Sequence, residues 1–406
     1  MCVGEALGLP GIDGQRGSVM ARSGLRILAL VTDAFGGNGG IAQYNRDFLS
    51  ALARCDRVDD VIVLPRLSAR SVGALPTGVQ QLRPVKRRLA YSLAALWTAI
   101  TYQPIGLLFC GHLFMAPLAA VIARILKIPL WVQIHGIEAW QELSAMQRRS
   151  VESATIVTSR YTRRRLLERV GIDPARVKVL PNTVNPQYHP GPKPGYLLDR
   201  HAASGKKVLL TVSRLASSEQ YKGHDRVICA LPQVLSQHPD SIYLIVGDGD
   251  DRPRLESPAV KFGVAENVQF TGFVPAEELP DYFRLADVFV MPSAGEGFGI
   301  VFLQAMATGV RVIGGSQDGS RDALCDGALG TLVDPENCEE LASAVLATLD
   351  NPAHTGDRTG RFRPDFFAEN LNALYQLFCV QKGGSCGAIV ATKGNGGIGF
   401  KSFTLR

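Results

Sequence analysis

The chain has 406 residues, too many for one ordinary hydrophobic core and enough for two domains. Hydrophobic residues make up 46% and charged residues 20%, which excludes a disordered or collagen-like chain. The net charge of +6 is uneven: residues 1–190 hold 23 Lys/Arg against 12 Asp/Glu, and the remainder holds 20 against 25. The N-terminal half is therefore the part expected to meet something anionic.

Residues 1–23 are Gly-rich and lack the apolar run of a secretory signal, so they read as a disordered leader, with Met1 or Met20 as the start. From residue 24 to 190, short apolar runs alternate with amphipathic segments. Strands are expected at 26–32, 61–64, 106–110, 130–134, 155–158 and 177–180. Helices are expected near 41–53, 87–102, 114–126, 140–152 and 160–170. In the first of these, Ile41, Tyr44, Phe48 and Leu52 share one face. Continuous apolar strands alternating with helices point to a parallel sheet covered on both sides. The most apolar region, 107–134, is broken by His112, Pro117, Arg124, Lys127 and Pro129, so no membrane-spanning helix is expected.

The rhythm stops where Pro186, Pro190, Pro192 and Pro194 cluster, and residues 191–205 read as a linker. A second series fills 206–355, with strands at 208–212, 242–246, 268–271, 288–291, 312–314 and 330–333. Its helices fall near 224–237, 277–285, 298–308 and 339–349. The fold class is thus α/β, two Rossmann-like domains facing across a cleft. A helical segment is expected over 356–379 and a disordered tail over 380–406. The eight cysteines are scattered without a Cys-x-x-Cys pair, which signals neither a disulfide framework nor a zinc site and suits a reducing cytoplasm.

The candidate chemistry sits where strands end. The first strand runs through Gly36-Gly37-Asn38-Gly39-Gly40 into a helix, where glycines permit close backbone approach and free amides suit an anion. The spacing is not that of a dinucleotide fingerprint. An ordinary strand–helix turn would look the same. Arg214 and Lys222 emerge at the carboxyl edge of the second sheet, a place where open α/β folds bind ligands. Strand-end cations of this kind are also common simply as solvated groups. Asp248, Asp250 and Asp251 follow another strand and could hold a metal, but a polar turn shaping the pocket fits their spacing better. In Gly295-Glu296-Gly297-Phe298-Gly299, a glycine-flanked carboxylate precedes a helix start; such a group can accept from sugar hydroxyls while free amides bind oxygens. Gln304 lies about two turns further on. His135 closes a first-domain strand toward the cleft, with Glu138 after it; a lone histidine there is equally compatible with a structural role.

Taken in order, these segments resemble the family-four retaining glycosyltransferases with the GT-B fold. The matching pieces also include Ser159-Arg160-Tyr161, Pro181-Asn182 and Thr271-Gly272-Phe273-Val274, and the likeness spans roughly residues 25–350. The resemblance implies that Gly39 and Gly40 approach the donor diphosphate, Arg214 and Lys222 neutralise it, and His135 sits beside the reacting sugar. It implies that Glu296 and the amides near Phe298 and Gly299 hold sugar hydroxyls, while Phe273 and Val274 flank the base. No metal or other cofactor is implied, only a GDP- or UDP-linked sugar as co-substrate, and the new bond keeps the donor's anomeric configuration. One departure matters: the family's second Glu is Gln304 here. A carboxylate accepts two hydrogen bonds from a ribose diol and an amide oxygen replaces only part of that, a loss of about 1–2 kcal/mol or roughly tenfold in donor affinity. Arg311 also stands where an apolar residue or proline is commoner.

The leading expectation is hexosyl transfer, mannosyl from GDP-mannose being one case, to a glycan or polyprenol- or lipid-linked acceptor in cell-surface polysaccharide or glycolipid synthesis. Basic residues at Arg83, Lys86, Arg87, Arg88, Arg160 and Arg163–Arg165, beside Tyr91, Trp97, Phe114 and Met115, fit peripheral docking on an anionic inner membrane face. A solvated basic face is the plainer alternative. The competing function is a catalytically weakened nucleotide-sugar-binding subunit, with Gln304 as its mark. An epimerase or phosphorylase lacks its required groups, and no stacking-aromatic motif supports nucleic-acid binding.

Overall fold

The computed structural model describes residues 24–351 and 357–381, with side chains to residue 377. The leader read at 1–23 and nearly all of the tail read at 380–406 lie outside the described residues.

The first domain carries strands β1 (Leu25–Val31), β2 (Val58–Pro65), β3 (Val79–Gln81), β4 (Ile105–Cys110), β5 (Leu130–Ile134), β6 (Ala154–Val157) and β7 (Val177–Val179). They form one parallel sheet in the order β3-β2-β1-β4-β5-β6-β7. Its helices are α1 (Gly39–Leu52), α2 (Arg88–Thr101), α3 (Ala116–Leu126), α4 (Ala145–Val151) and α5 (Arg160–Val170). The alternation of β1 explains the layering. Leu28 and Leu30 face the α2–α3 side, while Ile27, Ala29 and Val31 face α1. Strands buried on both faces must read as continuous apolar runs, and these do.

After the short helix α6 (Gly195–Arg200), the second domain has β8 (Lys207–Val212), β9 (Ser241–Val246), β10 (Val268–Gly272), β11 (Val288–Met291), β12 (Arg311–Gly315) and β13 (Thr331–Val333). They pair in the order β10-β9-β8-β11-β12-β13. Helices α7 (His224–Gln237), α8 (Arg252–Lys261), α9 (Leu279–Leu285), α10 (Ile300–Ala307), α11 (Ser320–Ala323) and α12 (Cys338–Asp350) complete it. Both sheets reverse direction of winding beside their first strand, between β1 and β4 and between β8 and β11. These are the crevices where open α/β sheets receive ligands.

The Pro-rich segment read as a linker carries α6 and lies on the second domain. Leu197 is buried in that core, and Lys193 pairs with Asp287 at 2.7 Å. The last helix, α13 (Pro364–Gln381), returns to the first domain. Its Phe367, Leu371 and Tyr375, each four residues apart, enter the cluster of Tyr44, Phe48 and Trp131. Burying each contributes about 2 kcal/mol, enough to make the chain's second crossing a firm one. The two crossings touch where Val184 N and Thr183 Oγ1 donate to Phe362 O, at 3.0 and 2.7 Å.

Candidate functional site

The glycine turn after β1 brings α1 to the cleft. Gly39 has φ +85°, where a side chain would be strained, and the space its Cβ would fill is open. A Cβ on Gly40 would lie 3.7 Å from Ile300, the first residue of α10 in the other domain. Asn38 and Gly299, which precede α1 and α10, provide no side-chain cap, and neither helix has an acidic residue in its first turn. Two helix starts with free amides therefore approach one another, an arrangement that favours an anion between them.

His135 follows β5. Its Nε2 lies 3.0 Å from Gly111 O, and a carbonyl only accepts, so Nε2 carries the proton. Its backbone N donates to Glu138 at 2.5 Å, and its ring meets Tyr44 edge-on at 5.3 Å. Burial depresses its pKa, the Glu138 charge opposing that and His112 adding to it, so the ring is held neutral. The next residue explains a glycine pair. A Cβ on Gly136 would sit 2.7 Å from Gly297 Cα, and one on Gly297 would sit 2.0 Å from His135 O. The domains meet backbone to backbone here, beside Glu296.

On the second domain, Lys222 Nζ lies 3.2 Å from Glu296 Oε1 and 3.3 Å from Glu219 Oε2. Burial works against the lysine's charge, but Glu296 and then Glu219 outweigh it and raise its pKa. Arg214 also pairs with Glu219, while its side chain is 78% exposed. The Gly247–Gly249 turn underlies this strand end: Cβ atoms there would strike Ser213 O at 1.7 Å and Leu215 O at 2.1 Å. The three carboxylates read as a possible metal site diverge. Asp250 accepts from Ser217, Asp251 from Arg254 and Gln220, and Asp248 from the Gly249 amide. Among the described residues, no group of three metal-binding side chains forms.

The Glu296 loop is held from behind. Asp318, fully buried, accepts from Glu296 N at 2.6 Å, Ser293 Oγ at 2.8 Å and Ser320 N at 2.9 Å. Burial pushes its pKa up to about 6 despite these bonds. Phe298 points into the core against Phe362, and Val274 is buried there too, so at these two positions only backbone remains for a ligand. Phe273 is exposed, and Gln304 is half-buried on α10. Arg160, read in sequence as a candidate membrane cation, crosses to the second domain, 2.5 Å from Asp322 and 2.8 Å from Asp326. Arg163 is also engaged inwardly, donating to Val177 O and Pro174 O.

Glu219, Asp318 and Asp322 escaped the sequence reading. Glu219 stands three residues before Lys222 in a polar run without periodicity; Asp318 precedes, and Asp322 lies within, a four-residue helix too short to announce itself.

The pattern of the family described as Glycosyltransferase Family 4 matches residues 38–188, and that of Glycosyl transferases group 1 matches 199–361. The chain belongs to this glycosyltransferase family. It is 37% identical over 232 residues to the GDP-mannose-dependent alpha-(1-6)-phosphatidylinositol monomannoside mannosyltransferase of Mycolicibacterium smegmatis, covering 54% of this chain and 60% of that protein. It is 27% identical over 253 residues to the alpha-D-kanosaminyltransferase of Streptomyces kanamyceticus, covering 57% and 64%. The match thus spans about 60% of these relatives' length. Anabaena HepE, solved in complex with UDP, superimposes with a TM-score of 0.69 at 22% identity, over 87% of this chain and all of that one. That likeness establishes the GT-B fold.

Proposed function

We propose that the protein is a retaining glycosyltransferase that moves a hexose, mannose from GDP-mannose foremost, onto a glycan or lipid-linked acceptor. What supports the reading is that Lys222 pairs with Glu296 on the second domain, the adjoining Gly297 rests on His135 O of the first, and the Gly39–Gly40 helix start comes against Ile300 of the second. The bond from the anomeric carbon to the diphosphate breaks as the acceptor oxygen forms its own bond on the same face, and the acceptor's proton passes to a diphosphate oxygen. Arg214, Lys222 and the α1 amides stabilise the charge that develops, so the reading includes metal independence, with full activity in EDTA as its check. The mannosyl choice follows the name of the Mycolicibacterium relative.

Mass spectrometry over UDP-, GDP- and ADP-sugars tests the reaction. Transfer by wild type, with large losses in Lys222→Ala and Glu296→Ala, supports it; turnover unchanged in both defeats it. Gln304 favours a second reading, a weakened donor-binding subunit, which predicts nucleotide binding without transfer.

The acceptor side of this reading includes an anionic membrane. Leu89, Leu93, Trp97 and Ile100 line one face of α2 and are all exposed, with Phe114, Val121 and Ile125 exposed beside them. Arg66 and Arg88 lie over the Phe114 ring at 5.3 and 5.1 Å, and Arg83, Lys86 and Arg87 are near in sequence. An apolar stripe edged by cations suits a headgroup boundary. Among the described residues no helix is long and apolar enough to cross a membrane. Equal sedimentation with neutral and anionic vesicles at low salt would rule out charge-led docking.

A further inference from the structure

Glu219 has no place in the roles considered so far. Its side chain is 12% exposed and it meets both cations meant for the diphosphate. Those cations are not equally free to move. Lys222 sits between Glu219 and Glu296, and all three side chains are 15% exposed or less, so withdrawing it would leave two enclosed carboxylates facing each other. Arg214 is different. Its own side chain is 78% exposed, so the guanidinium can exchange Glu219 for water at little net cost. Two cations and two carboxylates also cancel, so an incoming diphosphate meets a cluster that is already neutral.

We propose that Glu219 is a positioning residue acting as a built-in counter-anion: it occupies Arg214 while the donor site is empty and yields it to the diphosphate, Lys222 staying in place. This rests on the nucleotide-sugar reading of the same site. The exchange runs in reverse at the end of turnover, when Glu219 competes for Arg214 and hastens departure of the nucleoside diphosphate. A merely structural carboxylate would not do this, because removing it would weaken binding rather than strengthen it.

Isothermal titration of the full chain with UDP, GDP and ADP tests the proposal. Glu219→Gln is expected to bind whichever nucleotide the wild type binds roughly fivefold more tightly, with product inhibition deepened to match. The gain should vanish when Arg214→Ala is added. Equal or weaker binding by a folded Glu219→Gln, or a gain that survives without Arg214, overturns the assignment. Should that variant not fold, Glu219→Asp, one methylene too short for both cations, is expected to shift affinity in the same direction, and unchanged binding counts against the idea. A wild type that binds none of the three nucleotides defeats the underlying reading, a separate result because it involves no variant.

Discussion

Lowering the pH should inactivate this protein through Asp318 before it unfolds it. Asp318 is held by neutral donors, accepting from the Glu296 amide, Ser293 and Ser320, and burial raises its pKa to about 6. On passing from pH 7.5 to 5.5 its ionised fraction drops from nearly all to about one quarter. A protonated carboxyl must donate where it had accepted, so the loop bearing Glu296 loses its anchor and transfer falls about fourfold. Stability moves the other way. The folded state holds this proton more tightly than the unfolded chain, whose value is the ordinary 3.8, so protonation between about pH 6 and 4 stabilises the fold. Keeping the ion buried at pH 7.5 costs about 3 kcal/mol on the same arithmetic. Asp47, also raised to about 6 by burial, adds in the same direction. Tyr221 and Lys222, both raised in pKa, also stand around the loop, and neutral His135 lies across the domain contact. The discriminating variant is Asp318→Asn, which cannot titrate but leaves one N–H without an acceptor. Transfer rates from pH 5 to 8.5 should be flat in this variant and about tenfold lower at neutral pH, with a melting temperature equal to or above wild type. An Asp318→Asn enzyme that keeps the wild-type acid limb would refute the reasoning.

Lys222→Ala should lower donor turnover by roughly 100-fold or more and destabilise the fold by about 3 kcal/mol, since Glu219 and Glu296 are left enclosed together; denaturant melts and rates check the two effects. Gln304→Glu should tighten nucleotide binding about tenfold by titration calorimetry if α10 faces the ribose. Gly297→Ala should abolish transfer while each domain stays folded, because the new Cβ would lie 2.0 Å from His135 O; circular dichroism and solution scattering separate these outcomes. Asp322→Asn should lower the melting temperature only modestly, because Arg160 is 41% exposed and keeps Asp326 although Asp322 is only 10% exposed, yet widen the solution-scattering radius as the domains part.

The fold was legible because both sheets are buried on both faces. Twelve of the thirteen described strands could be read as apolar runs, and β5, β11, α5 and α7 fall on the residues expected. Val79–Gln81 escaped, being a three-residue edge strand with two glutamines. Helix α8 escaped because Pro253 and Pro258 argue against a helix, although Pro253 sits in its first turn where no amide is needed. At the site, glycines and strand-end cations could be located in sequence because they mark turns. Glu219, Asp318 and Asp322 could not, since what selects them is a partner brought near by folding. Arg160 shows the same limit from the other side: its charge was visible, its destination across the cleft was not.

These late-appearing residues explain how two separately packed domains could act as one site. Asp322 takes Arg160 Nε and the Tyr161 amide from the start of α5, so it reports the position of the first domain. Four residues earlier, Asp318 holds the amide of Glu296. Between them Gly319 packs so closely that a Cβ would lie 2.2 Å from Gly297 O, and Gly297 in turn rests on His135 O. A movement of the first domain therefore has two short mechanical routes to Glu296, one through ion pairs and one through bare backbone. Bulk at the glycines blocks the second route, and neutralising Asp322 loosens the first. That is why the two substitutions are expected to leave each core intact and still separate Glu296 from the wall opposite it.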